Sequence, residues 1–149
     1  MGSFEVPDDL RFNRGPIADP GAFAAEAGAR SWLFLCGSEF ASMDGGMSFE
    51  QVQDAVDEAE NIVSDPPVEP TLDLVREHLA AIDRLPRPTL VTCRMGPRSS
   101  ASVYVYAGLE AGATADEVLA RADADGAPFA SVEPLRELVR QGIEQLELP

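Results

Sequence analysis

The chain contains no lysine. All 11 of its basic residues are arginine, set against 26 acidic residues, for a formal net charge of −15. A surface of that sign repels phosphate backbones and anionic lipid headgroups, so neither nucleic acid nor membrane is an expected partner. No apolar run approaches the roughly 20 residues that cross a bilayer. Histidine occurs once and cysteine twice, at Cys36 and Cys93. That supply excludes a zinc-finger spacing and a disulfide framework, and no metal or cofactor is expected. The opening residues Met1–Asp9 lack both a basic segment and an apolar segment, so they are expected to be a polar tail and not a signal peptide, and the location is expected to be cytoplasmic. An acidic, lysine-free, alanine-rich composition fits either a salt-adapted organism or a GC-rich genome.

What is present is ordinary globular material: 149 residues, 45% hydrophobic and 25% charged. One domain over 1–149 is expected, long enough to bury a core without staples. Alternation over Leu10–Arg14 predicts a first strand. Asp19-Pro20 predicts a capped helix stopping at Gly28. Ser31–Cys36 predicts a buried strand, with Cys36 as a core thiol. Ser48 with Gln51 three residues on predicts a capping box, and a helix carrying Phe49, Val52, Ala55, Val56 and Ala59. A short strand is expected over 61–64. Three prolines in Asp65–Pro70 exclude regular structure there. Leu72, Leu74, Val75, His78, Leu79 and Ile82 share helical spacing, and His78 is expected to be a satisfied helix histidine. Helices are also expected from Ser99 to about Glu110, from Thr114 to near Gly126, and over 131–149. Strands alternating with helices imply a three-layer α/β domain with a central, mainly parallel sheet.

The most informative stretch is Thr89–Ser100. An apolar run ends in Cys93; Arg94, Met95, Gly96, Pro97 and Arg98 form a tight loop; Ser99 and Ser100 open an apolar helix. A cysteine between a strand and a helix N-terminus faces unpaired N–H groups and the positive end of the helix dipole. Those groups favour a thiolate, and with the arginines they suit an oxyanion. In parallel sheets such loops, at the carboxyl ends of strands, hold ligands.

Cys93-Arg94-x-Gly96-x-Arg98-Ser99 resembles the active loop of cysteine-dependent phosphatases. In particular it resembles a bacterial and archaeal family related to beta-lactamase-hydrolase-like proteins, compact relatives of dual-specificity phosphatases. Ala27–Arg30 leading into the Trp32 strand, Ala59–Val63 before the proline-rich turn, and Gly112–Val118 are similar to segments of that family as well. The resemblance covers about residues 10–128. It implies hydrolysis of a phosphate ester, small or protein-borne, through a phosphocysteine on Cys93. Arg98 would then fork onto the phosphate, while Arg94, Met95, Gly96, Ser99 and Ser100 would cradle it or ease thiolate departure. Asp65 is the expected leaving-group acid, ahead of Glu69 and Asp44. Three features depart from the usual loop: four residues and not five separate Cys93 from Arg98, Thr92 stands where many phosphatases have histidine, and Pro97 removes an N–H. The short loop leaves open a rhodanese-like sulfurtransferase with a Cys93 persulfide, although Leu35–Glu39 replaces the Asp-x-Arg signature such enzymes carry. A non-catalytic anion-binding module is the third reading.

Overall fold

The computed structural model describes residues 4–149. Its centre is a four-stranded, wholly parallel sheet in the order β1-β4-β2-β3. The strands are β1 (Leu10–Phe12), β2 (Ser31–Phe34), β3 (Glu58–Asn61) and β4 (Thr89–Thr92). β2 and β4 are buried along their whole length, as expected of inner parallel strands covered on both faces. Alternation along them feeds two cores. Leu33, Leu35, Val91 and Cys93 face one; Trp32, Phe34, Cys36 and Leu90 face the other.

The smaller core lies under α1 (Pro20–Ala27) and α2 (Phe49–Ala55). The larger is built from α3 (Leu72–Arg84), α4 (Pro97–Ala111), α5 (Ala115–Asp125) and α6 (Glu133–Gln145). The expected caps are present at Asp19 on α1, Ser48 with Gln51 on α2 and Thr114 on α5; the structure adds Thr71 as the cap of α3 and Glu117 as the box partner of Thr114. Gly28 and Gly126 close α1 and α5 in the left-handed conformation. α4 is buried along most of its length from Ser99 to Gly108, while the loop leading into it carries the exposed Met95.

Several boundaries differ from the sequence expectation. α2 ends at Ala55, because Val56 is already extended, and Ala59 belongs to β3. The helical spacing ran on to Ala59 only because α2 and β3 pack against the same core. β3 occupies Glu58–Asn61 and not 61–64; it pairs with β2 alone, so a polar edge sequence is tolerated. α4 starts at Pro97, two residues before Ser99. The expected polar tail is also corrected from Phe4 onward. Phe4 is buried in the larger core, its ring 6.4 Å from that of Tyr104; Met1–Ser3 lie outside the described residues. Tyr104 and Tyr106 are both buried, each with its hydroxyl on an aspartate, Asp125 and Asp83 respectively.

Candidate active site

Cys93 follows the end of β4, and three polar groups converge on its sulfur. The Gly96 N–H donates from 3.1 Å, the Ser99 N–H from 3.4 Å, and the Ser99 Oγ lies 3.4 Å away. The first two are orphan donors at the start of α4, which no intrahelical acceptor can use. Charge on the sulfur therefore meets the positive end of a 15-residue helix. Pro97 sits at the first helical position, where its missing N–H breaks no helical bond and its ring fits the backbone angle.

The loop is tight because Gly96 has φ +111°. A Cβ there would lie 2.2 Å from the carbonyl oxygen of Asn13, so conformation and space both demand glycine. Asn13 is the residue that sequence reasoning missed. Its Nδ2 donates to the Cys93 and Gly15 carbonyls, and its Oδ1 accepts from the Cys93 N–H at 3.2 Å and the Ser99 hydroxyl at 3.0 Å. The Gly15 N–H then donates to the Met95 carbonyl at 2.8 Å. The end of β1 thus clamps a loop 80 residues away. Asn-Arg-Gly after a strand is a turn signal, but local sequence cannot say which loop the turn touches.

Cys93, Arg94, Met95, Arg98 and Asp65 line one cavity of about 410 Å³. Arg94 is neither a solvated loop residue nor a free anion contact: its Nε and Nη2 both lie 2.8 Å from Asp65 Oδ2. Asp65 is nearly buried, and its Oδ1 accepts the Gly37 N–H at 3.0 Å. The Arg98 guanidinium, expected to fork onto an anion, donates to the Ser64 carbonyl and, at 2.7 Å, to the Val68 carbonyl. It ties the proline-rich loop to α4 at the cavity edge. Ser99 stays beside the sulfur, whereas Ser100 is corrected to a structural role: its Oγ donates to the Pro97 carbonyl and accepts the Phe129 N–H. Glu69 and Asp44 do not line the cavity.

A buried layer lies beneath the proline-rich loop. His78 Nε2 is 2.8 Å from Ser64 Oγ and Nδ1 is 2.7 Å from Ser102 Oγ. The satisfied helix histidine is thus found, and it joins the residue before Asp65 to the helix carrying Arg98. Burial pushes the His78 pKa down to about 4, assisted by the nearby Arg98 charge. Thr92 accepts the indole N–H of Trp32 at 2.8 Å, which uses the position before Cys93 to anchor the smaller core. Burial pushes the Cys36 thiol well up, with Asp65 and Cys93 adding to the shift, so Cys36 is an inert core thiol.

No model of a known protein family and no curated protein matches the chain. Solved structures do match. Tk-PTP in its active form superposes with a TM-score of 0.75 at 14% identity, over 96% of this chain and 97% of that one. The Neisseria meningitidis protein nma1982 gives 0.68 at 18% identity, over 95% and 99%. The core catalytic domain of the PP-IP phosphatase SIW14 from S. cerevisiae gives 0.63 at 14%, over 95% and 82%. The chain therefore has the α/β fold of protein tyrosine phosphatase-like proteins.

Proposed function

We propose that the protein hydrolyses a phosphate monoester through a phosphocysteine on Cys93. The observation that carries this reading is the convergence of Gly96 N–H, Ser99 N–H and Ser99 Oγ on one sulfur beside a cavity that also holds Arg94, Arg98 and Asp65. The likeness to phosphatase structures supports it. The Cys93 thiolate attacks phosphorus, the P–O bond to the alcohol breaks, and Asp65 in its protonated form delivers a proton to the departing oxygen. Water then attacks the phosphocysteine and gives its proton to the Asp65 carboxylate; the P–S bond breaks, phosphate leaves, and the thiolate is restored with the Ser99 N–H donating to it. Arg94 and Arg98 change partners during this cycle. An arriving phosphate dianion competes with Asp65 for Arg94 and with the loop carbonyls for Arg98.

The test uses purified protein at low and high salt, with an aryl phosphate in one assay and thiosulfate plus cyanide in another. Phosphate release abolished by Cys93→Ser supports the reading; release that survives that substitution sinks it. Thiocyanate formation without phosphate release assigns a sulfurtransferase. The engagement of both arginines in the resting structure favours, as a second reading, an anion-binding module; silence in both assays with vanadate still raising the melting temperature would select it.

A further inference from the structure

The cavity beside Cys93 has a second wall with a different character. Pro66, Pro70, Pro97, Val132, Pro134 and Leu135 line it, and Met95, 55% exposed, stands at its rim. Among the described residues, the only charged groups on the cavity are Asp65, Arg94 and Arg98, and all three already have partners. From these facts we infer that the substrate is a small-molecule phosphate monoester whose organic body is a single uncharged, apolar group of about the size of one or two aromatic rings. This rests on the phosphatase reading and specifies its substrate.

Four observations support that class. First, the nucleophile and the apolar wall share one continuous cavity, so whatever carries the phosphate must lie along the wall. Second, four of the six wall residues are proline. Proline offers no backbone N–H, so a peptide's carbonyls or a polyol's hydroxyls would be desolvated there without donors. Third, a polyphosphorylated ligand needs a cationic field. Two arginines, no lysine and a net charge of −15 supply only enough positive charge for one phosphate. Fourth, a volume of about 410 Å³ lies within the range of small-molecule sites. Part of the wall comes from Val132, Pro134 and Leu135, where the chain enters α6. The C-terminal helix therefore selects the substrate as well as closing the core.

The experiment measures equilibrium binding to the Cys93→Ser protein, so that no turnover is required. The probes are 1-naphthyl phosphate, glycerol 2-phosphate, a phosphotyrosine peptide and inositol hexakisphosphate. The naphthyl ester should bind about tenfold or more tightly than each of the others. The double substitution Val132→Asn with Pro134→Ser should narrow that margin to about threefold or less, consistent with the energy of a few buried carbons. Asn at 132 is a good N-cap for α6, so the variant should fold. Equal or tighter binding of glycerol 2-phosphate, the peptide or the hexakisphosphate overturns the inference, as does a margin that the double substitution leaves intact. The catalytic reading fails separately: a naphthyl preference in binding, with no hydrolysis by the unsubstituted protein, removes the activity and leaves the ligand class supported. Hydrolysis of all esters with equal KM keeps the activity and removes the ligand class.

Discussion

Arg94 and Asp65 hold each other in the wall of the Cys93 cavity, with two guanidinium nitrogens each 2.8 Å from one carboxylate oxygen. The pair unites the expected acid with an expected anion contact and makes them rivals for the same charge. Asp65→Asn should therefore separate two effects. Vanadate binding should tighten several-fold, because Arg94 is freed. Turnover of alkyl phosphates should fall by about 100-fold, because the leaving oxygen loses its acid. Aryl phosphates with good leaving groups should fall less. Equal losses on both substrate types would place the acid elsewhere.

Arg98 tests the planar fork. In the resting structure one guanidinium nitrogen, Nη1, reaches the Ser64 and Val68 carbonyls; on a bound phosphate two nitrogens would donate in parallel, a planar fork that a lysine lacks. Arg98→Lys should lower kcat/KM by about 100-fold. Circular dichroism and melting temperature should stay close to those of the parent. A drop of less than about threefold would assign Arg98 to loop anchoring alone.

His78 makes stability depend on pH in a defined direction. Its folded pKa is near 4 and its ordinary value is 6.5, so between these values the unfolded chain binds a proton that the folded one refuses. The stabilisation from a neutral His78 is complete above about pH 6.5 and is lost as pH falls toward 4. The loss approaches about 3 kcal/mol at the acid end, as an order of magnitude. Urea unfolding of the protein and of His78→Gln at pH 7 and pH 4.5 checks this: the glutamine variant should show the smaller difference between the two pH values.

Gly96→Ala and Asn13→Ala probe the clamp on the loop. The alanine Cβ would meet the Asn13 carbonyl at 2.2 Å in a backbone of φ +111°, so a loss of several kcal/mol or a rearranged loop is expected. Asn13→Ala leaves the Cys93 N–H and carbonyl without their buried partners, at about 2 kcal/mol or more. Thermal unfolding reports both. Vanadate affinity should drop in each variant by a larger factor than in a surface control such as Glu26→Ala.

Much of the molecule was legible in local sequence, for definite reasons. Caps at Asp19, Ser48 and Thr114 announce themselves because each bonds backbone within three residues. The buried strands β2 and β4 read as apolar runs, and the Cys93 loop stood out because cysteine, glycine and arginines adjoin there. Legibility ended where the partner is distant. Phe4 looked like tail because its contact, Tyr104, is 100 positions away. β3 was displaced because an edge strand needs little apolar sequence. Ser100 looked like an anion ligand, but α4 turns its hydroxyl toward Pro97 and Phe129.

By itself the sequence determined the parallel α/β layering, the cysteine at a strand end and the glycine that bends the loop, since these depend on short-range periodicity and backbone angles. Only the tertiary structure decided which groups touch. It paired Arg94 with Asp65, turned Arg98 onto the loop carbonyls, brought Asn13 to the back of the loop, and set an apolar wall from α6 beside the sulfur. Those relationships join residues tens of positions apart. Strand order and helix packing determine them, and no local propensity encodes the result.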